Sequence, residues 1–174
     1  MLAYLFMFIT LAILVVLLSM VWPPDSPWSP WWRTSGRIAR LQCKLAKIEK
    51  GDVVYDMGCG DGTALLIAAE LGAKGVGIEI DPIRYWIAKG RFLFSKHSVK
   101  LTTVRKNFFE IDLSEATVIF AYLIPKTLGR LKPKFLKELK PGTRIVTYVY
   151  KIDLPLIASD QKNELYVYEI PRKK

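Results

Sequence analysis

Apolar side chains fill the start of the chain without a single charge. Residues 1–22 contain no Asp, Glu, Lys, Arg or His. As a helix this run would rise about 33 Å at ~1.5 Å per residue, and a bilayer's hydrocarbon core is about 30 Å thick. No basic residue precedes the run, and the sequence Trp22-Pro23-Pro24 at its end is unlike a signal-peptide cleavage site. The pattern therefore predicts a retained, single-pass transmembrane helix over residues 1–22.

Tryptophan and proline dominate the next stretch. Four prolines interrupt residues 23–32, and Trp22, Trp28, Trp31 and Trp32 lie among or beside them. Proline disfavours helix, and indole rings favour the lipid headgroup layer. Residues 23–32 are therefore predicted to form a non-helical collar at the membrane interface.

A basic amphipathic pattern follows the collar. Cations recur from Arg33 to Lys47 without an acidic residue among them, and Ile38, Leu41 and Leu45 alternate with them at helical spacing. Such a helix can lie on an anionic leaflet or can cover a sheet, and both interpretations stay open. Because the charge follows the apolar run, the positive-inside rule predicts an N-terminus outside and residues 33–174 on the cytoplasmic side, or its organellar equivalent.

The remaining pattern alternates short apolar strands with helical runs. Helices are predicted over residues 63–71, 82–95 and 126–139, the last with a possible break at Pro133. Strands are predicted over residues 53–57, 75–80, 101–105, 117–123, 144–150 and 164–170. Strands separated by helices imply crossover connections, so we predict an α/β fold with a Rossmann-like, doubly wound and mainly parallel sheet over residues 33–174.

Composition limits the kinds of functional site and partner that the chain can have. A chain of 174 residues suits one ordinary domain, and Cys43 and Cys59 provide no disulfide framework. With His97 as the single histidine, no metal site is expected. The formal charge is +10, and residues 126–144 carry seven Lys or Arg against the single Glu138; this run is either a solvated face or a contact for acidic lipid or an acidic substrate. No recognition motif indicates a nucleic-acid partner.

A glycine-rich turn between a strand and a helix is the most informative segment. It reads Asp56-Met57-Gly58-Cys59-Gly60-Asp61-Gly62. Alternate glycines allow a tight turn against which a ligand can lie, and the following helix N-terminus offers free N–H groups. The third glycine comes one position too early for the dinucleotide fingerprint, and no Lys-Ser/Thr pair follows as in a phosphate-binding loop.

This segment resembles the D-x-G-x-G-x-G signature of class I S-adenosylmethionine-dependent methyltransferases, and the resemblance spans residues 51–150. It implies S-adenosylmethionine as cofactor, and Glu79 as the acid that accepts the ribose hydroxyls. It also implies Asn107 beside the adenine amino group and Phe108 beside the adenine ring. The other implied cofactor-binding residues belong to the turn itself: Asp56, Gly58, Cys59, Gly60 and Gly62. At Cys59 the backbone is expected to matter more than the sulfur.

A narrower resemblance covers residues 117–148. Tyr122-Leu123-Ile124-Pro125, the basic L-x-x-L-x-P-K helix and the Pro141-Gly142-Thr143 turn are similar to a family of small protein-lysine methyltransferases. That family includes membrane-anchored mitochondrial enzymes acting on the ATP synthase c subunit and the adenine nucleotide translocase. Thr63 departs from the arginine expected after the Asp-Gly pair. Tyr122, at a strand's carboxyl end, is the candidate catalytic residue on the acceptor side.

Three functions remain in competition from the sequence. The first is a membrane-anchored methyltransferase that modifies lysine ε-amines of a membrane-associated protein. The second is a methyltransferase acting on a lipid headgroup or a lipophilic small molecule, for which an anchored basic domain serves equally well. The third is a scaffold that keeps the cofactor fold without catalysis. The expected partners are the lipid bilayer and a membrane-associated protein substrate.

Overall fold

The chain divides into two compact units, Met1–Trp32 and Arg33–Lys174. The computed structural model describes residues 1–21 and 32–172, with side chains through residue 18 in the first of these ranges. Except for Trp32, the predicted collar over residues 23–32 lies outside the described residues, as do Trp22 and its predicted interfacial role.

Among its described residues, the first unit contains one helix, α1 (Leu2–Val21). Its described apolar side chains are exposed, for example Phe6, Phe8 and Leu11. Thr10, the polar residue in its middle, donates its hydroxyl to the Phe6 carbonyl at 2.9 Å. In the part of the chain described in full, no helix combines the length and apolarity that crossing a membrane requires. The prediction of a spanning helix over residues 1–22 therefore gains no support from the described residues.

The second unit is built on a seven-stranded sheet with the order β3-β2-β1-β4-β5-β7-β6 among the described residues. The first five strands run parallel, and β7 is antiparallel to both β5 and β6. The strands are β1 (Val53–Met57), β2 (Lys74–Ile78), β3 (Leu101–Val104), β4 (Val118–Ala121), β5 (Arg144–Tyr148), β6 (Leu156–Asp160) and β7 (Leu165–Glu169). The predicted doubly wound, mainly parallel sheet is confirmed.

Helices cover both faces of this sheet. They are α2 (Gly36–Leu45), α3 (Thr63–Glu70), α4 (Pro82–Leu93) and α5 (Pro125–Glu138). Ser35 caps α2 by accepting the Ile38 N–H, and Asp81 caps α4 by accepting the Arg84 N–H. Short 3₁₀ turns occupy Ser98–Lys100, Phe108–Glu110 and Gln161–Asn163.

The core consists of two apolar layers, because alternate strand residues point to opposite faces. In β4, Phe120 joins the layer under α2, α3 and α4, whereas Ile119 joins the layer under α5. Ala39 and Cys43 of α2 are fully buried in the first layer. The amphipathic basic helix therefore covers the sheet, which confirms the second of its two interpretations.

Two elements differ from the predicted ones. β6 was not predicted, because it is an edge strand whose residues Leu156 and Ile157 are exposed and break the alternation that marks a half-buried strand. Helix α5 runs through Pro133 without a break. Buried Leu128, Leu131 and Phe135 on both sides of the proline hold the helix against the sheet.

Candidate functional site

The glycine turn follows β1 and is hydrogen-bonded to the end of β2. The N–H groups of Gly58 and Cys59 both donate to the Ile78 carbonyl, at 2.9 and 3.0 Å. Gly58, Gly60 and Gly62 have φ of 87, 55 and 75°. Side chains rarely tolerate such values, so the backbone itself explains the alternating glycines. At Gly62 a Cβ would also lie 2.4 Å from the Phe92 ring.

Glu79 lies directly after β2 and closes the turn. One carboxylate oxygen accepts the Gly60 N–H at 2.9 Å, and the other accepts the Asp81 N–H at 3.0 Å. Burial raises the pKa of Glu79, while these two N–H groups and the Arg84 charge oppose that rise. A carboxylate offers about four lone-pair sites, so Glu79 can accept further hydrogen bonds from a ligand.

Asp56 lies near the carboxyl end of β1, before the glycine turn. It is buried, and its pKa is raised to about 7, first by burial and then by the nearby charges of Glu79 and Asp61. Two buried carboxylates with raised pKa values thus lie on either side of the glycine turn. A ligand with hydroxyl donors and positive charge would stabilise the ionised form of both carboxylates.

Two arginines that the sequence pattern did not indicate form ion pairs with Asp61 of the turn. The Arg91 guanidinium contacts the Asp61 carboxylate at 2.7 Å and donates to the Thr63 hydroxyl at 2.9 Å. The Arg33 Nε atom lies 2.7 Å from the same carboxylate. The resemblance implies an arginine at position 63, where this chain has Thr63. The guanidinium beside that position belongs to Arg91 of α4. The basic spacing of α4 alone could not indicate that contact.

The Cys59 sulfur does not face the turn. It belongs to the apolar layer under the helices, and a Cβ on Gly77 of β2 would lie 2.7 Å from it. Burial raises the pKa of the Cys59 thiol well above its ordinary range. The residue therefore contributes its backbone to the turn, where its carbonyl accepts the Gly62 N–H at 2.8 Å.

Asn107 and Phe108 follow β3, the strand beside β2. The Asn107 side-chain oxygen accepts the Phe109 N–H at 3.1 Å and so caps the short turn Phe108–Glu110. Both residues are partly exposed. The Glu79 N–H donates to the Val104 carbonyl at 3.1 Å, which ties the end of β3 to the residue that closes the glycine turn.

Tyr122 lies immediately after β4, at the point where the strand order reverses between β1 and β4. A Cβ on Gly58 would lie 4.0 Å from the Leu123 side chain, so this segment borders the glycine turn. Burial, followed by the charges of Tyr148, Tyr150 and Glu164, raises the pKa of Tyr122. Its phenol is therefore neutral at neutral pH.

Tyr148, at the end of β5, is the aromatic neighbour that the sequence did not single out. Its ring centroid lies 4.6 Å from that of Tyr122, with the planes tilted by 52°. The next residue, Val149, has φ of 66°, and the Tyr150 N–H donates to the Tyr148 carbonyl at 2.8 Å across it. Such a three-residue turn is rare and strained, above all with a β-branched centre. Only the pairing of β4 with β5 brings the two rings together.

Known methyltransferases resemble this chain in sequence. Residues 56–155 match the family model of the ANTKMT methyltransferase domain. A protein-lysine N-methyltransferase of Saccharolobus islandicus is 39% identical over 128 residues, which cover 72% of this chain and 80% of that protein. The ribosomal protein L11 methyltransferase of Thermus thermophilus is 30% identical over 124 residues, and the match spans 46% of its length.

Solved structures agree in fold. An RNA methyltransferase from Salinibacter ruber, solved with S-adenosyl-L-homocysteine, has a TM-score of 0.77 and 31% identity, over 82% of this chain and 96% of that one. The C-terminal domain of a precorrin-6Y methyltransferase from Rhodobacter capsulatus has a TM-score of 0.61 over 75% of this chain and 71% of that one, at 18% identity. The predicted class I methyltransferase fold and its S-adenosylmethionine cofactor are confirmed. The chain is a member of the ANTKMT methyltransferase family, and hence an S-adenosylmethionine-dependent methyltransferase.

Proposed function

We propose that this enzyme methylates lysine ε-amines of a membrane-associated protein. The observation that carries the lysine assignment is the pair of tyrosine rings, Tyr122 and Tyr148, at the ends of the neighbouring strands β4 and β5, where Leu123 beside Tyr122 borders the glycine turn. The 39% identical relative, itself a protein-lysine N-methyltransferase, supports the same acceptor.

The residues around the turn suit S-adenosylmethionine, which when bound supplies an activated methyl group. Glu79 retains lone pairs for the ribose hydroxyls. Asp56 would contribute negative charge toward a cationic ligand. We assign Asn107 and Phe108 to the adenine, as the resemblance implies, because they follow the strand beside β2. The positive φ values of Gly58, Gly60 and Gly62 shape the turn against which the ligand would lie.

A lysine acceptor must lose its proton before it can be methylated, and the tyrosine pair can provide a suitable environment. A lysine amine has an ordinary pKa near 10.4, so about one in 2,500 is neutral at pH 7. Partial burial favours the neutral amine. The ring faces can then stabilise the positive charge that develops on the nitrogen as the methyl group is transferred. Because the pKa of Tyr122 is raised, its hydroxyl stays protonated and can orient the amine rather than remove its proton. Methyl transfer then depends mainly on alignment.

We also propose that α1 anchors the enzyme in a membrane, with residues 33–174 on the cytoplasmic side or its organellar equivalent. The uncharged sequence of residues 1–22 and the exposure of the described apolar side chains of α1 support the anchor. The cations from Arg33 to Lys47 support the orientation. An anchored enzyme would act on targets within reach of the bilayer, which is the reason for proposing a membrane-associated substrate.

The test adds methyl-labelled S-adenosylmethionine to membranes that contain the full-length protein. We expect label in methyl-lysine after acid hydrolysis of the protein fraction. Glu79→Ala should abolish the label, and Glu115→Ala, a change at an exposed carboxylate, should leave it unchanged. Label only in extracted lipid or in RNA would overturn the lysine assignment. Absence of any transfer by folded, cofactor-binding protein would favour a scaffold.

A further inference from the structure

Helix α4 and the segment after it expose large apolar side chains. Trp86 is 62% exposed, Leu93 70%, Phe94 88% and Val99 95%. Trp86 and Leu93 are seven positions apart and share one face of α4. The opposite face of the helix already packs into the core through Ala88 and Phe92. The exposed side chains therefore form a separate surface rather than an unfinished part of the core.

The same segment is strongly basic. Residues 82–107 contain seven Lys or Arg and no Asp or Glu. Arg84 is buried beside Glu79, and Arg91 contacts Asp61. The others are Lys89, Lys96, Lys100, Arg105 and Lys106. Lys89 extends its ammonium over the Trp86 ring, 4.8 Å from the centroid, so cation and apolar side chain occupy one surface.

We propose that this surface, the α4 patch (Trp86, Leu93, Phe94 and Val99 with Lys89, Lys96 and Lys100), docks on the headgroup layer of an anionic bilayer. Tryptophan and phenylalanine insert at that level, and lysines attract anionic lipid. Leu93 and Val99 present no flat face on which a nucleic-acid base could stack, so the composition favours lipid over RNA. This contact is additional to the proposed anchoring by α1. It would hold the helix that follows Glu79 at the membrane surface.

The test attaches an environment-sensitive fluorophore to full-length protein carrying Phe94→Cys. The matched control is Ile157→Cys, an exposed apolar position on β6, at the opposite edge of the sheet from β3. The native cysteines Cys43 and Cys59 are buried, so the new thiol is the accessible one. Vesicles contain phosphatidylcholine alone or mixed with phosphatidylserine.

We expect the label at position 94 to shift to the blue and to become several-fold less accessible to iodide with phosphatidylserine vesicles, with no change at position 157. Lys96→Glu together with Lys100→Glu should reverse most of that protection, whereas Lys137→Glu on α5 should not. Equal iodide quenching at both positions would overturn the proposal. So would protection at position 94 by an RNA oligonucleotide or by raising protein concentration without vesicles. The label reports on α4 whether or not α1 is embedded, so failure of the anchor is scored separately by carbonate extraction.

Discussion

At the scale of single residues, the site contains buried acids that weaken the ligand-free fold. The pKa of Asp56, about 7, lies above the ordinary carboxyl value because of burial and of Glu79 and Asp61. The folded state therefore keeps a proton that the unfolded chain releases from about pH 4 upward. The contribution of Asp56 to stability falls as pH rises from about 4 to about 7, and its cost is complete above that range.

Asp56→Asn should therefore stabilise the ligand-free protein and weaken donor binding. The gain should be on the order of 1–3 kcal/mol above about pH 7 and should shrink toward about pH 4. Thermal unfolding across pH, paired with titration of S-adenosylmethionine, measures both effects. A variant less stable than the parent at about pH 8, or one that binds the donor equally well, would contradict this role.

The tyrosine pair should act on the acceptor and not on the donor. Tyr122→Ala removes the ring, and turnover should fall about tenfold or more, the size of a desolvated contact between a ring and the positive charge that develops on the nitrogen during methyl transfer. Tyr122→Phe keeps the ring and should retain more activity than Tyr122→Ala. Donor affinity should be nearly unchanged in both variants. Steady-state kinetics with separate donor titration checks this, and parental turnover in Tyr122→Ala would exclude the proposed role.

Turnover should also depend on pH through the acceptor. Because an exposed lysine amine is almost wholly protonated at pH 7, the rate should rise as pH increases through the neutral range. Because the pKa of Tyr122 is raised, its phenol stays protonated through the neutral range and does not interrupt that rise. A pH profile of kcat/KM measures this, and a rate that is flat from about pH 6 to about pH 8 would contradict a lysine acceptor.

At the scale of elements, the sequence predicted the parts whose pattern is local. The strand–glycine turn–helix around Gly60 and the position of Glu79 after β2 follow from periodicity and turn chemistry. The Tyr122–Tyr148 contact depends on which strands pair, and the Arg91–Asp61 contact depends on how α4 packs. A local sequence pattern does not specify which strands pair or how a helix packs. The edge strand β6 lacked the alternation of burial on which strand prediction relies.

Helix α5 gives a prediction of its own. Pro133 lies in its interior, is exposed, and cannot donate a hydrogen bond to the carbonyl four residues earlier. The apolar contacts of Leu131 and Phe135 keep the helix continuous despite this. Pro133→Ala should therefore raise the free energy of unfolding by about 1–3 kcal/mol. Denaturant titration measures this, and a destabilised variant would mean that the proline is required for the helix geometry.

At the scale of the whole molecule, the proposal combines a methyltransferase unit with an apolar helix. If α1 anchors the chain, full-length protein should stay in the membrane pellet after high salt and after alkaline carbonate, and only detergent should release it. Replacing Leu11 and Leu14 of α1 by Lys should shift the protein to the supernatant, since charge within the bilayer is costly. Release of the parent protein by carbonate would leave α1 as a peripheral helix at most.

Donor binding at the glycine turn is the central claim, and isothermal titration of the purified full-length protein tests it most directly. We predict saturable binding of S-adenosylmethionine and loss of that binding in Gly60→Val. A β-branched residue cannot readily take a φ of 55°, and distortion there would break the hydrogen bond from Gly60 to Glu79. Gly129→Ala, where a Cβ meets nothing within 4 Å, is the control and should bind as the parent does. Equal binding by a folded Gly60→Val protein, or tighter binding of NAD than of S-adenosylmethionine, would contradict the assignment.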